Sequence, residues 1–319
     1  MTSPLIPVDT PDGWTLHMEE HPPAAAAGPG VAARGAVLVS HGMMVNRKTM
    51  DRPPGRGLVS FLCRRGFHVY ALDLRGHGAS GPRAAEGGVW SYDDVVQRDL
   101  PAALRAVARR HPELPRALVG HSLSAHGGGV ALGLDPDLPV DAAVLISPVV
   151  WIRRHEPSAA RWWVKRLVLA AWYGLARAVG RMPARRLGIG TEDEAVPYVR
   201  QFRDWAASGR WTSQDGAVDY LAALARVRVP VLVLNARGDR WVSRTPCVEC
   251  FAAAMERAPV ELREIGRRDL PELRREPGHM TLVTDPRSRP AWELTAAWLD
   301  RTLPPVSSRV SPRVSPRGA

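Results

Sequence analysis

Ala117-Leu-Val-Gly-His-Ser-Leu-Ser124 is the stretch on which the fold turns. An apolar, strand-type run ends at Gly120, and Ala125–Leu134 reads as a helix. Between them, Gly120-His121-Ser122-Leu123-Ser124 has the spacing of a nucleophile elbow, Gly-x-Ser-x-Gly, in a strand–turn–helix setting. The turn is so sharp that the residues two before and two after its central serine must be small. Glycine fills the first position and Ser124 the second, a departure that so small a side chain tolerates. A serine hydroxyl at its ordinary pKa is a weak nucleophile and needs a base beside it.

Outward from this turn, apolar runs alternate with helix-type segments, which predicts an α/β fold with a mostly parallel sheet covered by helices on both faces. The runs are Ala36–Ser40, Phe67–Leu74, Arg116–Gly120, Ala142–Ser147, Val229–Leu234 and Val260–Ile265. Most are nearly continuously apolar, as strands buried on both faces are; the last alternates apolar with charged residues and suits an edge. An antiparallel strand is expected over Gly13–Glu20, and Ala24–Gly30 reads as a loop. Helices are predicted over Gly57–Arg65, Asp94–Arg110, Ala125–Leu134, Ala217–Val227, Pro246–Glu256 and Arg289–Thr302. Within the second of these, Pro101 is expected in the first turn of a new helix that Asp99 caps.

One region breaks the alternation. Between the strand ending near Val150 and the helix near Ala217 lie about 65 residues without a strand signal, too many for a structureless loop in a compact domain. They hold Trp151, Trp162, Trp163, Trp172, Trp205 and Trp211, more than half of the chain's 11 tryptophans. A helical insertion over one end of the sheet is predicted, dividing the chain into a core of residues 1–150 and 216–303 and a cap of residues 151–215. Its tryptophans can roof a ligand pocket or simply pack the cap onto the core, and the sequence favours neither. Beyond Leu303, Val310-Ser-Pro-Arg313 and Val314-Ser-Pro-Arg317 repeat a pattern that buries no apolar surface, so residues 304–319 read as a disordered tail.

The bulk numbers narrow the function. At 319 residues the chain can bury one large core. Its net charge of +11 is nearly all arginine, since Lys48 and Lys165 are the only lysines. The arginines are scattered, often in pairs such as Arg64/Arg65 and Arg109/Arg110, without a reader motif, which argues against a nucleic-acid partner. Cys63, Cys247 and Cys250 make no even disulfide framework. Cys247 and Cys250 have redox or metal spacing, but no second Cys/His pair completes a tetrahedral site, so packing on a helix is expected. Met1–Thr10 shows no secretory leader. The most apolar stretch, Trp162–Val179, is interrupted by Lys165, Arg166 and Arg177 and is too short between them to span a bilayer. A cytoplasmic location is the default expectation.

Fold order places an acid and then a histidine after the serine, each beyond the end of a later strand. Asp239 follows Val231–Leu234 through Asn235-Ala-Arg-Gly238, and His279, in Pro277-Gly-His-Met280, precedes the final helix. Singly, Asp239 would be a solvated turn residue and His279 a loop histidine; in this order and position they form a constellation. In it Asp239 orients His279, while His279 takes the Ser122 proton and returns it to the leaving group. Asp269 is a weaker rival for the acid because it follows the last strand. Acyl transfer also needs backbone N–H groups aimed at the developing oxyanion. The Leu123 amide directly follows the nucleophile, and the Met43 amide stands in His41-Gly-Met43, where glycine lets the backbone approach. His77, His121 and His126 read as structural. No His/Asp/Glu cluster has metal spacing and no Gly-rich loop has phosphate-binding spacing, so neither metal nor cofactor is expected.

Together these segments resemble the α/β-hydrolase superfamily, in particular its serine aminopeptidase-like and monoacylglycerol-lipase-like group. The likeness is carried by Val37-Leu-Val-Ser-His-Gly42, Ala71-Leu-Asp-Leu-Arg-Gly-His-Gly-Ala-Ser80, Val119-Gly-His-Ser-Leu123, Val229-Pro-Val-Leu-Val-Leu234 with Asp239, and Gly278-His279. A nearer likeness is to a subgroup of predicted hydrolases with a tryptophan-rich cap, through Asp99-Leu-Pro-Ala-Ala103 and Arg185-Arg-Leu-Gly-Ile-Gly190. That subgroup usually has glycine at position 124 and an aromatic soon after the histidine, where Met280 and Thr281 stand here. The resemblance implies hydrolysis of a carboxylic ester, thioester or amide without choosing among them.

The leading expectation is a serine hydrolase that forms an acyl-enzyme on a small to medium apolar acyl substrate. Carbon–carbon bond hydrolysis or cofactor-free halide oxidation on the same scaffold is the alternative within enzymes. A non-catalytic binding protein is the alternative outside them, although it would need none of the three polar residues. Ser122 in place of an aspartate argues against an epoxide hydrolase or dehalogenase.

Overall fold

The continuously apolar runs become the centre of one sheet. In the computed structural model, which describes residues 5–24 and 33–306, eight strands pair in the order β1-β2-β4-β3-β5-β6-β7-β8. They are β1 Leu5–Asp9, β2 Thr15–His21, β3 Ala36–Ser40, β4 His68–Asp73, β5 Arg116–His121, β6 Ala142–Ile146, β7 Val231–Ala236 and β8 Val260–Ile265. From β4 to β8 every pairing is parallel, and β2 joins β4 antiparallel with Glu20 opposite Tyr70. β3, β5, β6 and β7 are buried along their whole length, whereas β8 is partly exposed at the edge, as its alternating pattern implies. β7 begins just after Pro230, which has no N–H for the ladder. β1 carried no signal in the sequence: Leu5–Asp9 is short, contains Pro7 and is mostly exposed.

Helices cover both faces. They are α1 Leu58–Arg64, α2 Tyr92–Asp94, α3 Leu100–Arg110, α4 Leu123–Leu134, α5 Ala159–Val179, α6 Val196–Ser208, α7 Tyr220–Leu224, α8 Thr245–Ala253, α9 Thr281–Thr284 and α10 Arg289–Thr302. One face of the sheet packs on α1 and α10 through Leu58, Leu62, Trp292 and Leu299. The other packs on α3, α4 and α8 through Leu104, Val130 and Val248.

One expectation fails. Asp99 does not cap a new helix: α2 continues into α3 through a π-helical turn, Val95–Asp99, and the Asp99 side chain makes no cap bond. Its carboxylate is buried and accepts from Arg75 Nε at 2.8 Å and Nη2 at 2.6 Å. The wider turn accommodates Pro101, which has no N–H to give. An ion pair to a residue in a distant loop leaves no trace in local sequence.

Between β6 and β7 lie α5, α6 and α7 and no strand of the sheet among the described residues. α5 starts at Ser158, whose side chain accepts from the Arg161 N–H, and stops at Gly180 in the left-handed region. Lys165 on α5 is buried, with Nζ 2.8 Å from Glu156 Oε2, and the Cys247 thiol packs against the same carboxylate from α8. No helix among the described residues is long and apolar enough to cross a membrane. Residues 25–30 of the predicted loop and 307–319 of the predicted tail lie outside the described residues.

Candidate active site

At the carboxyl end of β5 the chain reverses so tightly that Ser122 adopts φ +52° and ψ −107°, a region that costs an L-residue about 1 kcal/mol or more. A Cβ on Gly120 would lie 2.3 Å from the Ser124 carbonyl, so only glycine fits beneath this turn. The Ser122 N–H donates to Ile146 O at 2.8 Å and ties the turn to β6. Ser124, in the second small position, is held rather than merely tolerated. Its hydroxyl donates to His41 O at 2.6 Å and lies 2.7 Å from Ser40 Oγ, fastening the elbow to the end of β3.

The loops after β7 and β8 meet beside this turn. Gly238 N–H donates to Pro277 O at 3.0 Å, and a Cβ on Gly238 would come within 2.4 Å of that oxygen. The close crossing sets Asp239 and His279 next to each other. His279 Nδ1 donates to Asp239 Oδ2 at 2.7 Å, which leaves Nε2 to accept from the Ser122 hydroxyl at 2.9 Å. Asp239 also accepts from the Val242 and Ser243 N–H groups, each at 2.9 Å. Burial alone would raise this carboxyl; the bonds from His279 and the two amides outweigh it and hold the group below its ordinary value. The structure therefore brings Ser122, His279 and Asp239 together. Asp269 stands apart, on the surface, paired with Arg237 at 2.8 Å.

Met43 and Leu123 both line the cavity in front of Ser122. Among the described residues, neither backbone N–H has a protein acceptor, whereas the Met44 N–H is taken by Glu194. The cavity holds about 310 Å³ and is walled by Val149, Trp151, Leu169, Trp172, Phe202 and Trp241.

A family model described as serine aminopeptidase, S33, matches residues 31–265. The chain belongs to that family. Its fold is that of an α/β hydrolase. It is 32% identical to the monoacylglycerol lipase of Mycolicibacterium smegmatis over 124 residues, 38% of this chain and 40% of that protein. It is 23% identical to human gastric triacylglycerol lipase over 155 residues, 46% of this chain and 39% of that one. The chain thus spans about two fifths of the length of the curated relatives it matches. Among solved structures, a soluble variant of Saccharomyces cerevisiae monoglyceride lipase superposes with a TM-score of 0.66 at 17% identity, covering 95% of this chain and 97% of that one. An esterase of Pyrococcus furiosus superposes with a TM-score of 0.61 at 18% identity, covering 94% and 91%. At such identities these two likenesses speak for the fold alone.

Within this S33 member the buried histidines divide, among them the predicted structural His77, His121 and His126. Burial pushes His41, His121 and His126 down to about 3, so all three are neutral. His121 Nε2 donates to the His279 carbonyl at 3.0 Å, and His126 Nδ1 lies 3.0 Å from Tyr92 Oη. His77 goes the other way: burial would lower it, but the Glu194 carboxylate at 3.2 Å raises it to about 9. Glu194 was not singled out in the sequence, where Thr191-Glu-Asp-Glu194 is one more charged stretch. The tryptophans also divide. Trp151 and Trp172 line the cavity, Trp205 and Trp211 pack around Tyr92 and Tyr220, and Trp163 is exposed.

At the opposite end of the sheet Glu20, His68 and His111 gather with candidate ligand atoms within 4.8 Å of one another. No sequence spacing announces it, because the three come from β2, β4 and the end of α3. Its hydrogen bonds close within the protein: Glu20 accepts from His68 and Tyr70, and Arg110 Nη2 donates to Glu20 Oε2 at 2.9 Å.

Proposed function

We propose that this protein is a serine hydrolase that cleaves a carboxylic ester, thioester or amide of a small to medium apolar acyl group through an acyl-enzyme. The observation that carries the reading is the unbroken chain from Asp239 through His279 to the Ser122 hydroxyl, opening onto a cavity with mostly apolar walls. In the first half-reaction Ser122 Oγ adds to the substrate carbonyl carbon as its proton passes to His279 Nε2. Asp239 stabilises the imidazolium so formed, and the amides of Met43 and Leu123 receive the developing oxyanion. His279 then protonates the leaving group and, in the second half, activates a water that releases the acid.

Residues 151–215 act as a cap in this reading, with Trp151, Leu169, Trp172 and Phe202 as its contribution to the acyl pocket. A volume of about 310 Å³ is at the small end of ligand sites. The test is a series of p-nitrophenyl esters from acetate to palmitate with the wild type and Ser122→Ala. Turnover should peak at short to medium chains and vanish in the variant. Activity confined to long chains would contradict the acyl-size assignment, and equal turnover by the variant would contradict the nucleophile.

A further inference from the structure

Met44 stands at φ +60°, in the left-handed region, so something outside the residue must hold it there. Both of its backbone polar groups go to one segment, Thr191–Glu194, between α5 and α6. Its N–H donates to Glu194 Oε1 at 2.7 Å, and its carbonyl accepts from the N–H groups of Thr191 at 2.8 Å and Glu192 at 3.0 Å. The Gly42 carbonyl is pinned separately, accepting from His41 Nδ1 at 2.7 Å. A trans peptide is planar, with its N–H opposed to its C=O. The Gly42 carbonyl sets the direction of the Met43 N–H in its own peptide plane, and the Met44 N–H anchors the following peptide, so the Met43 Cα between them is held from both sides.

We propose that Glu194 is a positioning residue for the hydrolytic reaction: it holds the Met43 N–H at the oxyanion position and so makes that donor depend on the seating of the 151–215 cap. The role rests on the serine-hydrolase reading above. Glu194 is fully buried, and its Oε1 also accepts from His77 Nε2 at 3.2 Å. His77 Nδ1 in turn donates to Arg75 O at 2.7 Å. Both ring nitrogens face acceptors, so the ring carries both protons and a positive charge. A buried ion pair adds little net stability but tolerates few geometries, which suits a locating device. Glu192 extends the same seam, accepting from Asn46 Nδ2 at 2.5 Å and from the Gly78 N–H at 3.4 Å. Glu194 is not among the residues lining the cavity, so substrate contact does not account for it.

The test compares Glu194→Ala and Glu194→Gln with the wild type, as full chains, on p-nitrophenyl butyrate. Loss of one oxyanion donor costs about a hundredfold or more in kcat; Glu194→Ala should lose at least about tenfold, with KM changed by less than about threefold. Glu194→Gln keeps an oxygen to accept the Met44 N–H and should recover most of the lost rate. A second variant, Gly190→Ala, leaves the ion pair intact but drives a methyl to within 2.4 Å of Met44 O; it too should lower kcat and spare KM. It also carries the test if Glu194→Ala does not fold. Undiminished kcat in a folded Glu194→Ala or Gly190→Ala, a loss confined to KM, or a glutamine variant as impaired as alanine would overturn the role of Glu194. A wild type with no turnover on any acyl ester, thioester or amide would overturn the hydrolase reading and this role with it.

Discussion

His121 Nε2 donates to the backbone carbonyl of His279 at 3.0 Å. The residue before the proposed nucleophile thus holds the main chain of the proposed base, and the two rings lie 4.9 Å apart at their centroids. Because burial keeps His121 neutral, it can donate here without placing a second positive charge beside His279.

His121→Phe removes that donor and leaves the His279 carbonyl unpaired. The expected costs are about 1 kcal/mol of stability and, through a looser His279, roughly tenfold in kcat. Thermal denaturation and ester turnover measure the two. A rate equal to the wild type would show that the His279 loop is held adequately without His121.

Asp239→Asn keeps the shape of the acid and removes its charge. Turned with its N–H toward His279, the asparagine forces Nδ1 to accept and the tautomer that leaves Nε2 free is lost; turned the other way, its N–H confronts the Val242 amide. A fall in kcat of about 10³- to 10⁴-fold is expected, read from steady-state turnover at neutral pH. A loss below about tenfold would remove Asp239 from the mechanism.

Acid should destabilise the fold in a window set by buried histidines, His41, His121 and His126 the most depressed and His155 next, at about 4. His41, His121 and His126 sit at about 3 in the folded chain because burial opposes their charge, against about 6.5 when unfolded. Their depressed values make stability fully present above about 6.5 and progressively lost as pH falls toward 3, because the unfolded chain takes up protons that the folded one refuses. Each contributes a slope of about 1.4 kcal/mol per pH unit between those limits. Denaturant unfolding between pH 7 and pH 5 should show it, and His126→Asn should make it shallower by about one proton. An unchanged slope in that variant would mean His126 is protonated in the native state.

Much of the architecture was readable because it is locally encoded. Fully buried parallel strands write themselves as apolar runs, as Ala36–Ser40 does, and the alternating edge strand Val260–Ile265 was legible from its alternation; both match the structure residue for residue. The order of Ser122, Asp239 and His279 along successive strands was readable for the same reason, since fold order converts sequence position into place at one end of the sheet. What stayed hidden depends on long-range partners. Glu194 and His77 are 117 positions apart, and Asp99 turns from helix cap to ion-pair partner only because Arg75 reaches it. Glu20, His68 and His111 are unremarkable until the antiparallel pairing of β2 with β4 brings them together. The division of the tryptophans between cavity wall and packing is likewise set by how residues 151–215 pack, which composition does not encode.

The reactivity of one hydroxyl, that of Ser122, decides whether this protein is a serine hydrolase. Intact-mass and peptide mass spectrometry after treatment with a fluorophosphonate should find a single adduct on the wild type, located on the peptide containing Ser122, and none on Ser122→Ala. An unmodified wild type, or equal labelling of the folded variant, would contradict the assignment of Ser122 as the nucleophile.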